Sequence, residues 1–265
     1  MDFKFFLMLF FEGFTICFFY VSFLIFLFSI IEKKKHFINT SFVSKYSCYS
    51  FLRAFILMKA YDIAHYDKFA FPYNGIWIYE GNQGCGKTIS MVHDILKYCN
   101  SFPDLRVLDN LGIYAVCCQN EHLADWRQII DFKNGKKGVI VCLDELQNWF
   151  SCKQSKNFPP EMLSVVTQNR KNTRLIVGTA QKFYMLSKDI RTQATEVRSC
   201  YTFLGCITFY VRKFPMFDSE GNVLKYKFLG ISCFVHSSEL RECYDTYKVI
   251  ESYVNSGFLD RKVGD

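Results

Sequence analysis

The chain has 265 residues, of which half are hydrophobic and 18% are aromatic, and its net charge is +7 at pH 7. This length accommodates one domain of ordinary size with accessory segments and excludes two large domains. Residues 1–31 carry one lysine and two acids, so the remainder carries about +8. A basic excess of this size is compatible with nucleic acid or anionic lipid as a partner but establishes neither.

An apolar run near the N-terminus accounts for part of the high hydrophobic content. No charged residue occurs from Gly13 to Ile31, and the wider run from Phe5 is interrupted only by Glu12. A helix of this uncharged length spans about 28 Å, close to the hydrocarbon thickness of a bilayer. The run predicts a transmembrane anchor at residues 1–31. A signal peptide would have a shorter core and a small-residue cleavage site, and a buried soluble helix is the remaining alternative.

Positive charge follows this run, since Lys33, Lys34 and Lys35 come directly after it. The positive-inside bias therefore places the C-terminal bulk in the cytoplasm. Residues 32–71 form a predicted juxtamembrane linker. Within it, Phe51 to Tyr61 predicts a short helix, either an ordinary connecting helix or an amphipathic one at the bilayer surface.

From residue 72 onward, apolar strands alternate with helices. This order predicts an α/β fold with a mostly parallel sheet covered on both faces, and a core at 72–199. The predicted strands are Ile76–Tyr79, Leu105–Leu108, Ile113–Cys117, Val139–Leu143 and Leu175–Val177, and the predicted helices are Thr88–Tyr98 and Glu161–Gln168.

A different pattern follows in residues 200–265, which we expect to complete the same domain. Tyr201–Arg212 and Val223–His236 are rich in β-branched and aromatic residues, and Asp218–Asn222 between them has turn chemistry. These features predict a C-terminal β-hairpin, followed by a terminal helix at Glu239–Val254. Twelve cysteines occur mostly in apolar strings, such as those around Cys142 and Cys233. We interpret them as small core residues, with metal binding or disulfide formation as the alternative.

A glycine-rich motif connects the first core strand to the first core helix. It reads Gly81-Asn82-Gln83-Gly84-Cys85-Gly86-Lys87-Thr88 and matches G-x-x-x-x-G-K-[ST], the P-loop, at all four specified positions. Backbone amides and the helix N-terminus of such a loop bind the phosphates of ATP. Lys87 is expected to reach the β- and γ-phosphates, and Thr88 to bind Mg²⁺. The alternative is a glycine-rich turn with an exposed lysine.

Two acids end the strand at Val139–Leu143, with Asp144 lying 57 positions after Lys87. We expect this strand to lie beside the P-loop strand and to bring Asp144 to the magnesium ion. Glu145 is then the expected general base that polarises the attacking water. An Asp-Glu pair favours hydrolysis over nucleotide sensing alone, so we expect 72–199 to be a P-loop ATPase core that 200–265 completes.

Polar residues also follow the strand that begins at Leu175. Thr179 and Gln181 could set a side chain near the γ-phosphate, where it would orient water, or they could belong to an ordinary polar loop. Three arginines are candidates for an arginine finger given to a neighbouring subunit, although each could equally be structural: Arg170, Arg174 and Arg191.

Several short motifs occur together in an order that resembles the zonular occludens toxin (Zot) family. The P-loop and the Asp144-Glu145 pair come first, and many P-loop ATPases share them. The later motifs select the family: Gln168-Asn169-Arg170-Lys171, Thr179-Ala180-Gln181, Ile190-Arg191 and Tyr244-Asp245-Thr246-Tyr247. The resemblance covers roughly residues 72–250.

This family includes the assembly ATPases of filamentous phages. The resemblance implies an ATPase core of the additional-strand type in a membrane-bound homo-oligomer of the host inner or cytoplasmic membrane. It implies phage coat protein and single-stranded DNA as partners, and Gln181 as the γ-phosphate sensor. Family members usually place the membrane helix after the ATPase domain, whereas here it comes first. That order suits a host with a single membrane or a different packaging route. Nothing here resembles a secreted effector, so the toxin activity of the family name is not implied.

Three functional hypotheses follow. The first is an ATPase for virion assembly and DNA export, and the second is a membrane-tethered DNA translocase for packaging or conjugation. The third is a membrane scaffold that binds nucleotide with negligible hydrolysis.

Overall fold

A computed structural model describes residues 3–40, 51–150 and 160–244 of the chain. The chain divides into two compact units, Met1–Lys68 and Phe69–Asp265, which we call unit 1 and unit 2. Most of the predicted terminal helix and of the motif at Tyr244–Tyr247 lies outside the described residues.

Unit 1 contains two helices, α1 (Phe3–Lys35) and α2 (Phe51–Ala64). They pack through a small core that includes Ile38, Ala54 and Ala60. In α1 the segment Phe11–Lys35 is long and apolar enough to cross a membrane. Its aromatic side chains are mostly exposed, which differs from the covered surface of a buried soluble helix.

Unit 2 is an α/β domain whose strands and helices follow the sequence pattern closely. Its elements are β1 (Gly75–Glu80), α3 (Lys87–Ser101), β2 (Arg106–Asp109), β3 (Gln119–His122), α4 (Gln128–Asp131), β4 (Val139–Leu143), α5 (Leu146–Trp149), α6 (Pro160–Thr167), β5 (Arg174–Ala180), α7 (Lys188–Gln193), β6 (Ala194–Phe203), β7 (Ile207–Phe217), β8 (Val223–Val235) and α8 (Ser238–Glu242).

The eight strands form one sheet in the order β3-β2-β4-β5-β1-β6-β7-β8. Neighbours from β3 to β6 are parallel, and the last two pairs are antiparallel. The expectation that the Val139–Leu143 strand lies beside the P-loop strand is wrong, because β5 separates β4 from β1. All seven residues of β5 are buried, and a strand that is apolar on both faces is stable in the covered centre of a parallel sheet.

Alternate residues of β1 enter two cores on opposite faces of the sheet. Trp77 and Tyr79 pack into the core that α3 covers, whereas Ile76 and Ile78 pack into the core on the other face. This alternation follows from the two-residue period of a strand. The two covered faces hold the carboxyl ends of β1, β4 and β5 in register at one edge of the sheet.

The predicted two-stranded hairpin is instead a three-stranded antiparallel meander of β6, β7 and β8. A turn at Leu204–Gly205 divides the predicted strand at 201–212, and both residues adopt the left-handed conformation, with φ of 51° and 66°. β6 also pairs in parallel with β1, so the meander continues the core sheet. The predicted domain division at residues 199 and 200 therefore falls within β6.

Three further segments differ from the expectations. Ile113–Cys117 is not a strand, because Oδ1 of Asp109 accepts the backbone N–H groups of Leu111 and Ile113 and folds this segment into a loop. The strand that pairs with the outer side of β2, at one edge of the sheet, is instead β3, whose four residues are polar and exposed. At the start of the predicted helix Glu239–Val254, the structure has the short helix α8, which ends at Glu242. Cys142 is buried as expected, whereas Cys233 is exposed.

Candidate nucleotide site

The loop between β1 and α3 depends on glycines at two close approaches. Gly86 begins α3 with φ of 88°, and an added Cβ there would lie 2.7 Å from Oγ1 of Thr208. Gly81 has φ of 150°, and an added Cβ would lie 3.2 Å from the carbonyl oxygen of Cys200. These positions accept no side chain without displacement of their neighbours. The two glycines therefore allow the loop to pack closely against β6 and β7.

The lysine of the motif is folded against this loop. Lys87 is only 8% exposed, and its Nζ donates a hydrogen bond to the carbonyl oxygen of Asn82 at 3.1 Å. This contact holds the ammonium group beside the loop backbone. It differs from the exposed lysine that an ordinary glycine-rich turn would carry.

Asp144 lies at the end of β4, where its carboxylate meets two hydroxyl groups. Thr88 donates to Oδ1 of Asp144 at 3.1 Å, and Thr179 donates to the same oxygen at 2.6 Å. Burial raises the pKa of Asp144, while hydrogen bonds from Thr179 and Thr88 and the charge of Lys87 act in the opposite direction. The oxygens of Thr88 and Asp144 together form the hard donor set that Mg²⁺ prefers.

Glu145 is set apart from Asp144 by its backbone conformation. It adopts φ of 54°, in the left-handed region that non-glycine residues rarely enter. Its backbone N–H donates to Oγ1 of Thr179 at 2.9 Å, and Gln147 donates to its carboxylate. The Thr179 hydroxyl thus accepts a hydrogen bond from the backbone N–H of Glu145 and donates one to the carboxylate of Asp144. These two bonds hold both residues next to β5.

Burial and the neighbouring Asp144 charge raise the pKa of Glu145, and the charge of Lys87 opposes this effect. Because the pKa values of both acids are raised, the folded state binds protons more tightly than the unfolded chain. Ionisation at neutral pH therefore lowers the stability of the fold, and this cost disappears as the pH falls below the ordinary carboxyl range. Acids held at such a cost are typical of functional sites.

Asn110 is a site residue that the sequence analysis missed. It follows β2 and is 1% exposed. Its Oδ1 accepts the backbone N–H of Asp144 at 2.9 Å, and its Nδ2 donates to the Asp144 carbonyl oxygen at 3.3 Å. The polar pair Asp109-Asn110 after an apolar strand is the signal that could have indicated this role, because parallel strands end at the same edge of a sheet.

The remaining predicted site residues occupy separate positions. Gln181 is exposed and lines a cleft of about 370 Å³ together with Asn82 and Cys85, whereas Thr179 directly contacts Asp144. Arg174 is fully buried and donates to the carbonyl oxygens of Ile130 and Phe132, which is a structural role. Arg170 is exposed and Arg191 is half-buried.

Unit 2 combines an apolar strand, a loop of the G-x-x-x-x-G-K-[ST] type, a helix and an acid at the end of a nearby strand. Together these features define a protein of the P-loop NTPase class. The comparisons with known proteins assign the particular family. The family described as zonular occludens toxin (Zot) matches residues 105–253, more than half of the chain. The chain belongs to the Zot family.

Solved structures with a related chain course have low sequence identity. The N-terminal domain of zonular occludens toxin from Neisseria meningitidis is 17% identical with a TM-score of 0.46, over 64% of this chain and 98% of that one. The genome packaging NTPase B204 from Sulfolobus turreted icosahedral virus 2 with ATP-gammaS is 15% identical with a TM-score of 0.38, over 49% and 76%. The Legionella pneumophila ATPase DotB is 13% identical with a TM-score of 0.36, over 57% and 48%. No curated protein matches the chain.

Proposed function

We propose that this chain is a membrane-anchored ATPase that hydrolyses ATP to drive virion assembly and DNA export or packaging in a filamentous-phage-like element. One observation carries the catalytic part of the proposal. Thr88 in the first turn of α3 donates a 3.1 Å hydrogen bond to Asp144, which directly follows β4, and Glu145 is the next residue. Three groups with separate roles in ATP hydrolysis are thereby adjacent.

The residues present fit a nucleotide with its magnesium ion. Gly84 is exposed, and an added Cβ there would meet nothing within 4 Å, so the loop is open at this position. Lys87 supplies a buried positive charge beside the loop. Thr88 and Asp144 would hold Mg²⁺ through their oxygens, and the bound ion would neutralise charge on the phosphates. The other loop residues, Asn82 to Cys85, would contribute backbone amides to the phosphates.

Glu145 is the residue that we assign to activation of the attacking water. Its raised pKa makes the carboxylate a stronger base than an exposed glutamate. The Thr179 hydroxyl and the unusual backbone conformation fix its direction. Gln181 remains our proposed γ-phosphate sensor, since it lines the cleft beside the loop residues Asn82 and Cys85.

The location and the purpose of hydrolysis are proposed on other grounds. The exposed apolar surface of α1 and the three lysines at its end support a single-pass protein of the host inner or cytoplasmic membrane, with unit 2 in the cytoplasm. Membership of the Zot family supports the assembly role, a homo-oligomeric state, and coat protein and single-stranded DNA as partners.

ATP turnover by the full chain in lipid nanodiscs tests the proposal. We expect measurable turnover by the unmodified chain and a loss of at least about 100-fold in Glu145→Gln, because general-base catalysis contributes that much or more. ATP binding should persist in this variant. Glu239→Gln, on the exposed face of α8, is the matched control and should keep full activity.

The other two hypotheses predict different results. A chain that binds ATP but does not turn it over would be a nucleotide-binding scaffold, and the proposal would be rejected. Turnover stimulated by DNA without recovery of coat protein in a pulldown would indicate a DNA translocase. Recovery of coat protein with the full chain would support the assembly role.

A further inference from the structure

Three potential metal ligands lie together in unit 1, at positions that precede the nucleotide motif in the chain. Glu32 is in the last turn of α1, His36 follows that helix, and His65 follows α2. One donor atom from each residue lies within 4.8 Å of the other two. The cluster therefore joins the end of the apolar helix to the end of its packing partner.

The glutamate of this cluster is buried, although the ends of helices offer access to water. The side chain of Glu32 is 2% exposed, and its Oε2 accepts the backbone N–H of Ile38 at 2.7 Å. Its Oε1 faces Nδ1 of His36 at 4.0 Å and Nε2 of His65 at 3.9 Å. A buried carboxylate is costly unless a cation compensates it, and the C-terminal end of α1 adds partial negative charge to the same place.

One of the imidazoles is already oriented as a ligand. Nδ1 of His65 lies 3.1 Å from the carbonyl oxygen of Tyr61, to which it can only donate. This bond selects the tautomer in which the lone pair of Nε2 faces Glu32. A metal-binding histidine typically donates its other ring N–H to a carbonyl or carboxylate in this way. The ring of Tyr61 also stacks on His65, with centroids 4.0 Å apart.

The spacing of the donor atoms suits a small tetrahedral ion. Ligand atoms at about 2.0–2.1 Å from zinc lie about 3.4 Å from one another. Each nitrogen lies 3.9–4.0 Å from the carboxylate oxygen and needs to approach it by only about 0.6 Å. The two nitrogens lie within 4.8 Å of each other and need to approach by at most about 1.4 Å. His36 is 72% exposed and can make this adjustment by side-chain rotation.

We propose that Glu32, His36 and His65 bind one divalent transition-metal ion of the zinc class, with water as the fourth ligand. Two imidazole nitrogens favour this class over Mg²⁺ and Ca²⁺, which prefer oxygen ligands. The bound ion compensates the buried Glu32 carboxylate and ties the end of α1 to the end of α2. It thereby fixes the angle between the apolar helix and the helix that follows it.

Metal titration of the full chain tests this site. The protein is purified in detergent without a polyhistidine tag, treated with chelator, and titrated with Zn²⁺ in excess Mg²⁺ and without nucleotide. We expect one Zn²⁺ per chain, and Co²⁺ in its place should give the intense visible absorption of a tetrahedral site. Glu32→Gln and His65→Gln should each weaken binding at least about 100-fold, since even loss of an outer partner costs 10–100-fold.

His122→Gln is the matched control, because His122 is an exposed histidine of unit 2 and should leave the Zn²⁺ affinity unchanged. Unchanged helix content of the Glu32 and His65 variants, measured by circular dichroism without metal, would show that unit 1 folds. Absence of stoichiometric binding, or binding that survives both substitutions, would overturn the proposal.

Discussion

Asp144 and Glu145 are neighbours in the chain, yet different groups hold them. Oδ1 of Asp144 receives hydrogen bonds from two threonines on other elements, whereas Glu145 is directed by its left-handed backbone and by its N–H bond to Thr179. The backbone of Asp144 is fixed separately, because Asn110 bonds both its N–H and its carbonyl oxygen. Positioning of the acids is thus distributed over β2, α3 and β5.

Substitution of Asn110 tests this positioning. Asn110→Ala leaves the buried N–H and C=O of Asp144 without their partner, which we expect to cost about 1–3 kcal/mol of stability. The acids should also shift, and we expect kcat to fall by about 10- to 100-fold because small displacements of catalytic groups are costly. Thermal unfolding and ATP turnover measure the two effects. Asn172→Ala, in the loop before β5, should change neither; an unaltered kcat in Asn110→Ala would refute the positioning role.

At the scale of elements, the sequence pattern identified most strands and missed how some of them are joined. The Leu204–Gly205 turn lies within a segment rich in aromatic and β-branched residues, so the strand propensity on both sides obscured it. A leucine in the left-handed region is disfavoured because its Cβ crowds the backbone. Leu204 is also 75% exposed, so it gains little from packing in return.

This turn predicts a stabilising substitution. Asparagine tolerates a positive φ better than leucine does, because its short polar side chain can hydrogen-bond locally. Leu204→Asn should therefore raise the free energy of unfolding by about 1 kcal/mol, measured by thermal or denaturant unfolding of the full chain. Leu224→Asn removes a similarly exposed leucine from the strand β8 and should give no such gain. Equal effects of the two substitutions would contradict the role assigned to backbone conformation.

At the scale of the whole molecule, two units carry different chemistry. Unit 1 presents an apolar helix with three lysines at its end, and unit 2 carries the nucleotide motif and the acids. The proposed anchoring would keep the proposed ATP hydrolysis at a membrane surface. The metal site that we propose lies within unit 1 and would act on the geometry of the anchor.

Membrane extraction tests the anchor directly. The full chain should remain in the membrane fraction after an alkaline wash. Phe19→Arg combined with Phe23→Arg places two charges on exposed positions of α1, at a cost of about 2.5–3.5 kcal/mol each in a bilayer. This variant should move to the soluble fraction, whereas Tyr184→Arg in unit 2 should not. Release of the unmodified chain by the wash would argue against a transmembrane α1.

The sequence by itself determined the features that depend on contiguous residues. These are the apolar run, the P-loop between a strand and a helix, and the strand that ends in Asp144-Glu145, because local composition and spacing specify each of them. The mostly parallel sheet also followed from strands that are apolar throughout.

Only the tertiary structure decided which strands are neighbours, and with them the contacts of the site. The insertion of β5 between β1 and β4 brings Thr179 to Asp144, which lies 35 positions away in the chain. The end of β2 brings Asn110 to the same acid, and the packing of α1 on α2 brings His65 to Glu32. These contacts could not be predicted from sequence spacing, because they depend on the order of strands in the sheet and on the packing of helices.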